Sequence, residues 1–329
     1  MKRRIRFILA IGLVTSAFSF ASISGAVADT VWDMATPYPD GNFHTKNIKM
    51  FAQDIEKETD GKIKIKVHSN ASLLKMPDIK RGVQTRQAVL GEILLSAYGN
   101  EDPFFELDGI PFVSTGYDTA KVVWDMTRPF IEKRFSKNKL VVLYAVSWPG
   151  QGLYTKKTMN SVADFKGVKF RTYNAPTARL AELMGAVPTT IQAPEVPQAF
   201  ATGLIDAMIT SAITGVDSQA WDFVKYFYDV GALNNKNVVF INAKEFNALD
   251  QKTQDIIRAA AARAEKRGWE MSAKAHEASL KKLAENGMIV TKPNEKFYEE
   301  LKEIGEKMIQ EWLKKSGTDG KEFWESYQK

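Results

Sequence analysis

The stretch DQKTQDIIRAAAARAEKRGWEMSAKAHEASLKKLAEN, residues 250–286, sets the scale of the molecule. It is rich in Ala, Lys and Glu, holds no proline, and runs into Gly287, a residue type that readily ends a helix. At about 1.5 Å per residue a continuous helix here would run to roughly 55 Å. A single lobe is narrower than that. The helix is therefore expected to cross two lobes as a spine, unless Gly268 breaks it. A coiled coil is the other use for such length, but the apolar positions keep no heptad.

Two earlier segments indicate that the lobes are alike. PDIKRGVQTRQAVLGEILLSAYG begins at Pro77 and PEVPQAFATGLIDAMITSAITG at Pro194. Each opens with proline and an acid, a favourable first helical turn. Ile79 and Val83 in the first match Val196 and Phe200 in the second. Each helix then gives way to an apolar strand, AVLGEILLS or LIDAMIT, that ends in small polar residues. Near the start, TVWDMAT alternates like a strand and PYPDGNFHTKN reads as a loop. IKMFAQDIEKETDG follows with Ile48, Phe51, Ala52 and Ile55 on one helical face, and KIKIKVH alternates strictly. Strand, helix and strand in that order predict an α/β fold with parallel pairing. Residues 294–329 read as one amphipathic helix and a short terminal one.

The first 28 residues have the form of a secretory signal peptide. Lys2, Arg3, Arg4 and Arg6 precede an apolar run, and Ala26-Val27-Ala28 supplies a cleavage site after Ala28. This places the mature protein in the periplasm. Those four cations are part of the 45 Lys and Arg, against 39 acids, so their removal takes the net charge from +6 to +2. A nucleic-acid partner loses its compositional support. With no cysteine there are no disulfides, no thiol chemistry and no lipid-modified cysteine.

Catalytic groups have no positive witness. His44, His68 and His276 lie far apart without metal-ligand spacing, and there is no nucleophile elbow or phosphate-binding loop. GQGLYT at Gly150 is a fragment of a dinucleotide fingerprint, and HEASL at His276 lacks the second histidine of a metalloprotease. No cofactor and no metal is expected, and the chain is not read as an enzyme.

Arg171 stands out among the cations, because VKF reads as a strand that ends on it and a helix opens shortly after. A guanidinium is planar and matches a carboxylate as a two-toothed fork. From the residue alone, a solvated strand edge and a grip on an anion both remain open. Neutral polar and aromatic residues stand at other strand ends: Asn42 and Phe43, Tyr98, Trp148 and Gln151, Thr210 and Ser211, and the run from Asn234 to Asn237. Open α/β sheets bind ligands beyond the carboxyl ends of their strands.

The run DFKGVKFR, Asn174, and PEVPQAF followed by Gly203 and Asp206-Ala207 resembles the solute-binding proteins of TRAP (tripartite ATP-independent periplasmic) transporters, of the DctP type. YGNEDPFFELDGIPF from Tyr98, LYTKKTMNSVADFKG from Leu153 and the long helix extend the resemblance over nearly all the mature chain. It implies an α/β two-lobed periplasmic-binding-protein fold with crossing strands and a long helix spanning both lobes. Residues 29–150 would form one lobe with a return segment at about 236–270. Residues 151–235 would form the other with a C-terminal segment at about 271–329. It further implies a small organic acid ligand whose carboxylate pairs with Arg171, with Asn174 and Thr210 at positions that contact it. A monomer would deliver that ligand to ion-coupled TRAP membrane permease subunits.

The chain departs from the pattern at one point. Members that bind sialic acid or dicarboxylates often carry a second arginine about twenty residues earlier, where this chain has Gln151. A second buried carboxylate without a cation is costly. With Trp148, Tyr98, Phe43 and Tyr173 nearby, the expected ligand is an aromatic or 2-oxo or 2-hydroxy monocarboxylic acid. A four-carbon dicarboxylate or a sugar acid is the alternative, with Lys75 and Arg86 as candidate second cations. An extracytoplasmic sensor module and the binding protein of an ATP-driven transporter also remain.

Overall fold

The computed structural model describes residues 30–329; the expected signal peptide and its cleavage point lie outside them. The strands are β1 (Thr30–Ala35), β2 (Ile63–His68), β3 (Leu90–Leu94), β4 (Leu140–Ser147), β5 (Gly152–Thr155) and β6 (Lys169–Thr172). They continue as β7 (Val187–Thr190), β8 (Ala207–Thr210), β9 (Tyr226–Tyr228), β10 (Lys236–Asn242) and β11 (Ile289–Thr291). They form two sheets, in the orders β2-β1-β3-β10-β4 and β11-β9-β5-β8-β6-β7.

Read from opposite ends, the two orders match over five strands, and β11 adds a sixth at the far edge of the second sheet. β3 pairs parallel with β1 and antiparallel with β10, while β8 pairs parallel with β6 and antiparallel with β5. The connecting helices correspond as well. Phe43–Glu58 and Met76–Gln84 follow β1 and β2, and Ala175–Leu183 and Val196–Ala201 follow β6 and β7. The second pair of helix-then-strand units is the one that begins at Pro77 and Pro194. β5 and β10 are the exchanged strands: each belongs in sequence to the crossing between sheets.

At the crossing the chain passes twice between lobes, through residues 148–151 and 229–235. Trp148 N–H donates to Asn235 O at 2.7 Å, and Gln151 N–H donates to Leu233 O at 2.9 Å. A Cβ on Gly150 would lie 2.7 Å from the Cα of Gly231, so the two backbones touch here because neither residue has a side chain.

The long helix runs unbroken over Gln251–Glu285, 35 residues, with Asp250 accepting from Thr253 N–H at 2.8 Å as its N-cap. It lies on the helix Phe43–Glu58 and on β4, then reaches Ala212–Asp217 beside the other sheet. Gly268 marks the tightest point of that crossing and is no break. A Cβ there would sit 2.4 Å from Val146 Cγ2 and 2.7 Å from Asn47 Nδ2. Gly268→Ala gains about 1 kcal/mol of helix propensity but drives a methyl into a stiff β-branched neighbour. The expected balance is a loss of about 1–2 kcal/mol in denaturant unfolding, and a more stable variant would contradict it.

Two sequence expectations shift. The segment PYPDGNFHTKN is not all loop, because the helix begins at Phe43 with Asn42 accepting from His44 N–H at 2.9 Å. The strand within AVLGEILLS stops at Leu94 and turns into a 3-10 segment, Leu95–Tyr98, that carries the chain to the cleft floor.

Candidate functional site

Strands β1, β3, β6 and β8 all point their carboxyl ends at one place between the lobes. A cavity of about 110 Å³ opens there. From one lobe it is lined by Tyr38 after β1, Met76 at the start of its helix, and Leu94 at the end of β3. The crossing segment between β4 and β5 adds Trp148 and Gln151. The other lobe adds Arg171, Tyr173 and Thr210, with residues 192–195 after β7.

Arg171 is held before any ligand arrives. It sits within β6 and is only 2% exposed. Its Nε donates to Ile191 O at 2.9 Å, and Nη1 donates to Ile209 O at 3.3 Å. The guanidinium lies over the Tyr173 ring at 5.0 Å. Burial pulls its pKa down to about 10, a pull that Tyr173 and Tyr38 oppose. Among the described residues no carboxylate is ion-paired to it. It remains charged at neutral pH, so the cavity holds a fixed, desolvated cation that lacks a counter-ion.

The remaining walls are aromatic and neutral. Burial pushes the phenols of Tyr38 and Tyr173 up, so both stay protonated. Tyr38 Oη donates to Asn237 Oδ1 at 3.4 Å, and the Trp148 indole N–H donates to the same atom at 2.8 Å. Tyr173 Oη donates to Asn235 Oδ1 at 3.3 Å. Gln151 Nε2 donates to Pro149 O at 2.8 Å. Behind the wall, His44 packs on Trp148 with ring centroids 4.5 Å apart and on Phe43 at 4.0 Å. His44 Nδ1 lies 3.1 Å from Glu92 Oε1, and Thr36 Oγ1 donates to Glu92 Oε2 at 2.6 Å. These buried groups fix the ring that faces the cavity.

The lobes are closed on each other. Asn174 Nδ2 donates to Ser96 Oγ at 2.8 Å, Asn235 Nδ2 donates to the same oxygen at 3.2 Å, and Asn42 Nδ2 donates to Asp217 Oδ2 at 2.8 Å.

The structure sorts the sequence candidates into two groups. Arg171, Tyr173, Trp148, Gln151 and Thr210 line the cavity. Asn174 does not line it; its side chain caps the helix Ala175–Leu183, accepting from Thr177 N–H at 2.9 Å, and bridges to Ser96. Asn42 and Ser211 are likewise helix N-caps. Phe43 and Asn237 stand behind Trp148, and Tyr98 Oη donates to the carbonyl of Met76. Lys75 reaches the cavity rim, whereas Arg86 lies away from it against Glu245. Asn235, within the run Asn234 to Asn237, lines the cavity too, whereas Tyr38, Met76, Leu94 and residues 192–195 were not singled out as ligand-facing. For Tyr38 a signal exists, since it follows β1 as Thr210 ends β8. Among the described residues no group of three or more His, Asp or Glu is placed to hold a metal ion.

A family model described as bacterial extracellular solute-binding protein, family 7 (DctP), matches residues 34–316. Two solved Bordetella pertussis extracytoplasmic solute receptors, each binding pyroglutamic acid, superpose with TM-scores of 0.90 and 0.89 at 45% and 43% identity. Both alignments cover 91% of this chain, and 100% and 99% of those chains. A marine metagenome TRAP solute-binding protein, specific for pyroglutamate and solved with co-purified pyroglutamate, has a TM-score of 0.89 at 36% identity. That alignment covers 91% of this chain and 99% of the other.

Proposed function

This chain belongs to family 7 of the bacterial extracellular solute-binding proteins, the TRAP receptors, and we propose that it captures pyroglutamate or a closely similar cyclic monocarboxylate. The observation that carries this reading is Arg171, a buried guanidinium without an acid partner among the described residues, in the lining of the cavity between the lobes. A ligand carboxylate supplies the missing counter-charge, and each such charged hydrogen bond contributes roughly 1.5–3 kcal/mol. The lactam ring packs between Trp148, Tyr173, Met76 and Leu94. Its N–H and carbonyl meet Gln151, Thr210 and Asn235, which offer neutral donors and acceptors. Relatives of substantial identity that bind pyroglutamate support the same choice.

Binding draws the lobes together, since the ligand touches both only in the closed form. The loaded monomer then delivers its acid to ion-coupled permease subunits from the periplasm. Among the described residues no helix is long and apolar enough to cross a membrane.

Thermal unfolding across a panel of organic acids tests the reading. At a hundredfold excess over Kd, pyroglutamate should stabilise the protein by about 2.7 kcal/mol and raise Tm by several degrees. A panel in which sugar acids or straight-chain diacids shift Tm and pyroglutamate does not would overturn it.

A further inference from the structure

Three charged side chains line the cavity: Arg171, Lys75 and Glu195. Arg171 is buried, while the side chains of Lys75 and Glu195 are 73% and 57% exposed at the opening. These two come from opposite lobes. Lys75 is the residue that precedes the helix Met76–Gln84, and Glu195 ends the 3-10 turn Ala193–Glu195. Their Nζ and Oε1 atoms lie 3.9 Å apart across the opening. Summed over the lining, two cations and one acid leave a single positive charge, which one ligand carboxylate neutralises.

We infer that Glu195 is a specificity-determining residue that engages Lys75 and so restricts the cavity to acids of a single negative charge. The inference rests on the reading of Arg171 as the carboxylate anchor. A diacid whose first carboxylate meets Arg171 carries its second towards the opening. There it finds Lys75 already engaged and Glu195 repelling it, and a cleft that closes over a net negative charge desolvates that charge without compensation. Removing the acid reverses the sign of the field at the opening. A dianion gains from this more than a monoanion does, because its second charge lies nearer the change. For unit charges several ångströms apart at an effective dielectric of 20 or more, the difference is about tenfold in affinity.

The test is calorimetric titration at low ionic strength with pyroglutamate and with glutarate, a straight-chain diacid of the same carbon count. Three proteins are compared: the parent, Glu195→Gln, and Glu195→Gln combined with Lys75→Met. The parent should prefer pyroglutamate. That preference should fall about tenfold in Glu195→Gln and return when Lys75 is also removed. An unchanged preference in Glu195→Gln, or a gain for glutarate that survives the loss of Lys75, overturns the gate and leaves the anchor standing. A parent that binds neither acid overturns the pyroglutamate reading, and the gate argued from it falls as well.

Discussion

Arg171→Ala should abolish ligand binding for practical purposes, with a loss of two orders of magnitude or more. In the ligand-bound closed cleft the substitution leaves a carboxylate buried without its counter-ion, at a cost of about 3–5 kcal/mol. The rest of the site cannot make this up, because the lining that surrounds Arg171 is neutral or lies at the opening. The ligand-free protein should respond differently. There the guanidinium is the uncompensated charge, with its pKa lowered by burial, so its removal also removes a desolvation cost. That gain is offset by the lost bonds to Ile191 and Ile209 and the lost stack on Tyr173. The variant should therefore unfold near the parent Tm but show no ligand-induced shift. Arg171→Lys keeps the charge and loses the fork and its Nε anchor, and should fall between, at about tenfold to a hundredfold weaker. Calorimetry decides the matter: an Arg171→Ala protein that binds as tightly as the parent would remove the anchor from the mechanism.

The fold was more legible than the cleft, and the reason is physical. Periodicity reports which face of an element is buried, and KIKIKVH and the long helix both show theirs within a few residues. The matched segments at Pro77 and Pro194 exposed the doubled lobe for the same reason. Pairing between distant strands leaves no such local trace. That β10 returns to the first sheet beside β3, and that Gly150 touches Gly231, follow from tertiary packing. Gly268 misleads in isolation, since its local cost argues for a break and only the contact with Val146 shows why it stays.

Of the residues that strand-end position singles out, Arg171, Trp148, Gln151 and Thr210 line the cavity, because the carboxyl ends of β6, β4 and β8 meet there. Asn42 and Ser211, singled out by the same rule, and Asn174, singled out by the resemblance, do not line the cavity. These also stand at strand ends or loops, but each precedes a helix, and the exposed N–H groups of a first turn claim the side chain. A polar residue one position before a helix is thus read first as a cap. Asn174 and Asn42 then serve the site at one remove, with their free amide N–H groups fastening the lobes through Ser96 and Asp217.

A second large effect is expected at the crossing, in Asp108→Ala. Lys236 opens β10 and is 2% exposed, although lysine is rarely buried without a partner. Its ammonium lies 3.2 Å from Asp108 Oδ2, and its backbone N–H donates to the same oxygen at 2.7 Å. Burial raises the pKa of Asp108, while the ammonium of Lys236 opposes that rise and favours the charged pair. Removing the carboxylate strands a buried ammonium and an N–H together, so a loss of about 3–5 kcal/mol is expected, visible as a Tm roughly 5–8 °C lower. Asp108→Asn keeps an acceptor for the N–H and should lose less. Combining Asp108→Ala with Lys236→Met removes the stranded charge and should recover most of the loss, short of about 1–3 kcal/mol for the unmet N–H. Ligand affinity should follow stability through this series, because Asn235, next to Lys236, lines the cavity and holds Tyr173. If the double variant stays as unstable as Asp108→Ala, the cost lies in the backbone acceptor and the buried pair contributes little.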